Sequence, residues 1–274
     1  MSPQDPSSHI SNGELLAMTK DLDALHHDVT LPALRTSLGE WAEDIRERAA
    51  AGEDDTPQRA FVDRRRFLLG TGVAAGATLL AACSSSSSPT PKASSTSSAM
   101  AGGEGQMLSG DLQIVGMAAS LENTGIAAYM AGIKAATAGK LGKVPAAVVT
   151  FAETAMAQHE DHQKAWNAVL TASGKKAVTA PDPVLAPSIN ASLAKVNSVA
   201  ALATLALEIE NVAGETYQNG LSVIKSAAGI KTAASIQPVE FQHAAILSFV
   251  LGKYPVPNSF TGVTSARPPT DYQT

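Results

Sequence analysis

The chain has 274 residues, enough for one or two domains, with only 4% aromatic and 16% charged residues. Its formal charge of −5 is uneven: residues 84–274 carry 12 basic and 12 acidic side chains, against 8 and 13 upstream. The neutral C-terminal part leaves no electrostatic footprint for a nucleic-acid partner. The single cysteine, Cys83, excludes an internal disulfide framework and a thiolate-rich zinc site. Abundant alanine with few aromatics favours closely packed helices over a sheet.

Residues 1–60 read as an N-terminal cytoplasmic extension, partly helical. From Gly13 to Ala51 the apolar positions Leu15, Leu16, Leu22, Leu25, Leu34, Leu38, Trp41 and Ile45 suit one or two helices, with Pro32 as a break. His26 and His27 fall on a mixed polar face and are expected to be solvated. The extension is either removed with the segment that follows or precedes the true start of the protein.

Residues 61–83 carry a targeting pattern. Arg64 and Arg65 precede Phe67 and Leu68, and an apolar stretch of about 16 residues runs to Ala82. That is shorter than the ~20 residues of a membrane span and fits the apolar region of a signal. The arginine pair resembles the twin-arginine export signal. Leu80-Ala81-Ala82-Cys83 resembles the lipobox of bacterial lipoproteins, whose cysteine is lipidated and becomes the mature N-terminus. Residues 84–106, rich in Ser, Thr, Pro, Ala and Gly, read as a flexible tether. The resemblance implies export through the twin-arginine machinery as folded cargo. It also implies a lipid anchor at Cys83 on the outer face of the cytoplasmic membrane.

Residues 107–254 read as a four-helix bundle, and 255–274 as a tail. The expected helices cover Asp111–Ala138, Pro145–Ala172, Ser192–Ala228 and Thr232–Leu251. Pro145 suits a first helical turn, Gly174 and Gly229 suit helix C-termini, and Pro238 either kinks the fourth helix or starts it. Short connections within each pair make antiparallel neighbours. The stretch between the second and third helices, with Pro181, Pro183 and Pro187, is long enough to cross the bundle lengthwise. Two hairpins joined by a long crossover is the ferritin-like arrangement.

One pattern occurs twice. Glu122-Asn123, Tyr129 and Gly132 recur as Glu210-Asn211, Tyr217 and Gly220. Each copy is followed on the next helix by a histidine motif, His159-x-x-His162 and then Glu240-x-x-His243. Helical periodicity turns Glu122, His159, His162, Glu210, Glu240 and His243 inward with the apolar stripes. Three converging buried carboxylates demand protonation or a cation. The only histidines after Cys83 are the three in these motifs, which favours a metal site over scattered core histidines. Glu208, Glu215, Glu160 and Asp161 read as a solvated face, with Glu160 and Glu215 kept as candidate late ligands. Tyr129 and Tyr217 read as core residues or as hydrogen-bond partners behind the ligands.

These residues resemble the ferritin-like superfamily over roughly 111–252, in particular ferritin-like proteins of bacterial envelopes and, more distantly, rubrerythrins. There, a Glu from the first and third helices and a Glu-x-x-His from the second and fourth bind two iron or manganese ions. Glu122, His162, Glu210, Glu240 and His243 match that pattern. His159 departs from it, standing where the second-helix Glu would be. The donor set becomes three Glu and three His, with one bridge fewer and less negative charge, which speaks against a symmetric di-iron centre and leaves open an asymmetric pair of irons, a single metal, manganese, or zinc or copper. The resemblance implies a ferroxidase or peroxidase-like role in oxidative stress if the protein is an enzyme; the lipid anchor and long tether sit badly with a closed shell, so a monomer or homodimer is expected. The alternative is a metal-free structural or interaction module at the cell envelope.

Overall fold

A computed structural model describes residues 10–52, 108–256 and 261–272. Arg64, Arg65, Cys83 and the 84–106 tether lie outside the described residues. Among the described residues the secondary structure is helical throughout, with no strand. No helix among them is long and apolar enough to cross a membrane.

The chain opens with α1 (Asn12–Leu25), a π-helical turn (His26–Thr30) and α2 (Leu31–Ala51). A capping box starts it: Ser11 Oγ accepts from the Glu14 amide at 3.2 Å, and the Glu14 carboxylate accepts from the Ser11 amide at 2.9 Å. The backbone stays right-handed through the π turn, so Pro32 begins α2 without breaking the run. Gly52, at φ 68°, ends it.

Four long helices follow: α3 (Gly110–Thr137), α4 (Ala146–Ala172), α6 (Val199–Gly220) and α7 (Ala227–Val250), with a short α5 (Ala186–Leu193) in the crossover. α3 packs along α4, α6 along α7, and α3 also meets α6. Tyr129 of α3 faces Phe151 of α4 while Glu122 faces His159, so these two run antiparallel.

Three boundaries differ from the sequence expectation. The third long helix starts at Val199 rather than near Ser192, because Ser198 caps it by accepting from the Ala201 amide at 3.2 Å. It stops at Gly220, and the chain then turns. There the buried Asp111 carboxylate accepts from the Lys225 and Ser226 amides, each at 3.0 Å, and ties the start of α7 to the start of α3. Ser226 caps α7, so Gly229 lies in its first turn instead of ending a helix, and Pro238 lies inside it. Gly174 (φ 73°) does end α4, where the Lys175 amide reaches back to the Leu170 carbonyl at 2.8 Å.

The crossover is fastened rather than loose. Asn123 of the repeated motif donates to the Val178 carbonyl at 3.0 Å. The Asp182 amide donates to Thr124 Oγ1 at 2.9 Å, and the Asp182 side chain accepts from the Val184 and Leu185 amides.

α1 and α2 pack on α4 and α7. Leu15 and Leu22 join Phe151, Ala155 and Leu247 in one core cluster; Leu34, Trp41 and Ile45 join Val115, Trp166 and Ile236 in another. Trp41 is fully buried, edge-on to Trp166 with ring centres 5.6 Å apart. Burying such an indole removes roughly 200 Å² from water, about 5 kcal/mol of transfer free energy. Gly229 makes the space, since a Cβ there would lie 2.5 Å from Trp41 Cε2. The expectation that His26 is solvated is therefore corrected. It is 1% exposed, because the apolar flanks of α1 and α2 carry it onto α4. His27, with its side chain 57% exposed, does face solvent.

Candidate metal centre

The six inward positions converge. Glu122 comes from α3, His159 and His162 from α4, Glu210 from α6, Glu240 and His243 from α7, and none is more than 1% exposed. Their donor atoms form two overlapping groups of four: Glu122, His159, His162 and Glu240; then His159, Glu210, Glu240 and His243. His159 and Glu240 belong to both.

Both imidazoles of the x-x-His positions turn Nδ1 toward the carboxylates. His162 Nδ1 lies 3.0 Å from Glu240 and 3.7 Å from Glu122. His243 Nδ1 lies 3.4 Å from Glu210 and 3.7 Å from Glu240. His159 spans the two halves, with Nδ1 2.7 Å from Glu122 and Nε2 3.4 Å from Glu210. Gly125 clears the way for this ring, as a Cβ there would sit 3.1 Å from three of its atoms.

The two tyrosines cross over between the repeats. Tyr129 of the first copy donates to Glu210 of the second, and Tyr217 of the second donates to Glu122 of the first. Trp166 Nε1 in turn donates to the Tyr217 hydroxyl at 2.7 Å. Burial and the adjacent carboxylates push both phenols well above their ordinary range, so they remain donors.

Electrostatics of the cluster are dominated by its own members. Burial alone would lower the His162 pKa, but Glu122 and Glu240 raise it to about 9. His159 is likewise disfavoured by burial yet held well above its ordinary value by Glu240, Glu210 and Glu122. His243 is raised by Glu210 and Glu240 against the same burial. Burial opposes ionisation of Glu122, but His162 and His159 bring it down to about 2. Glu210 is lowered by His243 and His159. Glu122 and Glu210 thus stay ionised beside His159 and His162, which hold protons near neutral pH.

Several buried donor atoms lack a hydrogen-bond partner within the protein: both oxygens of Glu240, Glu210 Oε2, His162 Nδ1 and His243 Nδ1. Leaving such atoms unpaired is costly, and a cation among them would satisfy the set, so the residues fit a metal. Of the acids read as solvated, Glu160 has its side chain 44% exposed, and Glu215 accepts from the Ser265 amide at 2.7 Å; neither joins the cluster.

Two neighbours escape sequence reasoning. Gln158 Oε1 meets His243 Nε2 at 2.9 Å. His26 stacks edge-on to His162 with ring centres 5.1 Å apart. Burial, then His162, lowers the His26 pKa to about 3, so it is neutral. Gln158 adjoins a ligand in the sequence, whereas the contact with His26 joins residues 136 positions apart in the chain and has no local signal.

An all-helical fold that buries carboxylates and imidazoles from four helices in one cluster defines a class of proteins compatible with metal binding. Residues 110–253 match the ferritin-like domain family, and the chain belongs to it. No curated protein and no solved structure matches the chain.

Proposed function

We propose that the protein is a membrane-tethered, ferritin-like metal-binding protein with a two-ion site. The observation that carries this reading is the pair of overlapping donor groups, with both Glu240 oxygens between them lacking a hydrogen bond. Glu122 and His162 would hold one ion, Glu210 and His243 the other, and Glu240 would bridge. His159 would add a third nitrogen donor. An imidazole binds one metal where a carboxylate can bind two, so the pair is unequal. Iron or manganese fits the family, while the three nitrogens also suit zinc or copper.

Iron in this site would supply O₂- or peroxide-linked redox chemistry, of the ferroxidase or peroxidase-like kind. The chain's own contribution is to exclude water, to hold Glu122 and Glu210 through Tyr217 and Tyr129, and to release imidazole protons as ligation occurs. An apolar cavity of about 50 Å³ lies against Tyr129, Phe151, Ala203 and Leu247. Tyr129, which donates to Glu210, is its link to the cluster. Export by the twin-arginine machinery through Arg64 and Arg65, and lipidation of Cys83, would place the domain on the outer face of the cytoplasmic membrane as a monomer or homodimer.

A second reading has its own support. Protonated His159 and His162 offset ionised Glu122 and Glu210 in the metal-free cluster, which suits a metal-free structural or interaction module. Elemental analysis of untagged protein decides between them. One to two transition-metal ions per chain, lost in Glu240→Ala and His243→Ala, supports the site; no stoichiometric metal in the wild type overturns it.

A further inference from the structure

Residues 12–51 stand upstream of the segment read as a signal, yet they complete the core around the cluster. One end is anchored by Leu15 and Leu22 against Phe151 and Leu247. At the other, Trp41 seats over Gly229, and Ser37 Oγ lies 2.7 Å from Thr232 Oγ1 in a buried hydrogen bond. Between these anchors the π turn, a feature common at functional sites, begins with His26.

His26 occupies a position with a counterpart. The outer nitrogen of His243, Nε2, is met by Gln158 at 2.9 Å. The outer nitrogen of His162, also Nε2, has no hydrogen-bond partner, and the His162 ring packs edge-on with His26, whose two nitrogens lack hydrogen bonds as well. Behind His26, Asp161 Oδ2 lies 3.7 Å from its Nε2. His26 thus packs against His162 on one side and lies near Asp161 on the other.

We infer that the N-terminal helix is a cover that finishes the metal site, with His26 as the positioning residue behind His162 as Gln158 is behind His243. The inference rests on the metal-binding reading above. Groups behind a ligating histidine fix its ring and raise its basicity, and losing one costs roughly 10–100-fold in metal affinity. The cover ends at Gly52, ahead of the Leu80–Cys83 motif. Cleavage before Cys83 would leave cover and bundle as separate chains joined only by this interface, and metal retention would then depend on whether the cover stays.

The test uses the full chain loaded with Co²⁺, whose visible absorption reports ligation, and follows its loss to a chelator. His26→Ala is expected to release Co²⁺ roughly 10-fold or more faster, with an altered absorption band. His26→Gln, which places beside His162 the side chain already beside His243, is expected to restore slow release. Trp41→Ala, which loosens the cover away from the cluster, is expected to match His26→Ala. Wild-type release from His26→Ala overturns the inference. If the wild type binds no Co²⁺, the metal reading fails, and the cover is judged separately. Diethyl pyrocarbonate should then modify His162 faster in Trp41→Ala than in the wild type, and equal rates overturn the cover as well.

Discussion

Replacing His159 with glutamate tests what the odd imidazole does. In the protein as it stands, His159 sits 2.7 Å from Glu122 and 3.4 Å from Glu210, fully enclosed, and holds a proton between them. A glutamate there turns two buried attractions into a fourth converging carboxylate. Removing one partner of a buried pair costs about 3–5 kcal/mol, and at roughly 2–4 °C per kcal/mol for a chain of this size the metal-free variant should melt roughly 6–20 °C lower. Two divalent cations balance four carboxylates, so added Mn²⁺ should recover most of the loss; ligand at 100 times its Kd contributes about 2.7 kcal/mol. The assay is thermal unfolding with and without a chelator, paired with elemental analysis. The wild type should lose less stability when stripped than His159→Glu does. Equal chelator sensitivity in the two proteins would refute the argument that His159 neutralises the metal-free cluster.

Tyr129→Phe and Tyr217→Phe should each destabilise the protein by about 1–3 kcal/mol, the cost of an unsatisfied buried acceptor. Urea midpoints should show Tyr217→Phe as the worse, because Trp166 Nε1 also loses its acceptor. For the metal-free protein, the His162 contribution is complete below pH 6.5 and is lost as pH rises through about 9. The Glu122 contribution is present above pH 4.5 and is lost as pH falls through about 2. Urea midpoints should therefore fall from pH 6.5 to 9, while Co²⁺ uptake, which requires deprotonated imidazole, rises over the same range. Gly125→Ala should weaken metal retention, since its Cβ would press on the His159 ring, and the same change should cost less in a His159→Glu background; a double-mutant cycle of chelator release rates measures the coupling.

The helical class and the six convergent side chains were legible because both rest on periodicity. Apolar stripes at 3–4 spacing set which face of each helix is buried, and all six ligand candidates lie on those stripes. Boundaries were less legible where a distant residue decides them. Asp111 gathers the amides of Lys225 and Ser226 across more than a hundred residues, and no local pattern near Gly220 reports that. Gly229 reads as a helix terminator in isolation, and its real use, to admit Trp41, depends on a partner far upstream. His26 reads as solvated for the same reason. Its neighbours on α1 look half polar, and only the packing of Leu15, Leu22 and Trp41 on α4 and α7 shows that the π turn is pressed inward.

The repeat itself carries the deeper asymmetry. Counting from Glu122 and Glu210, Gly125 corresponds to Ala213, and counting from His162 and His243, His159 corresponds to Glu240. The half that holds the larger imidazole is the half with glycine facing it, where a Cβ would press on the ring at 3.1 Å. The half that keeps the carboxylate has alanine. A histidine that had merely drifted into a carboxylate's place would meet a wall built for a smaller side chain. Here the facing wall is recessed by one carbon, and both ring nitrogens find carboxylates of opposite repeats. The outer partners are divided in the same way, Gln158 from within the bundle for His243 and His26 from the N-terminal helix for His162. The asymmetry therefore extends through three layers, ligand, facing helix and outer partner, which is what a site shaped around His159 requires.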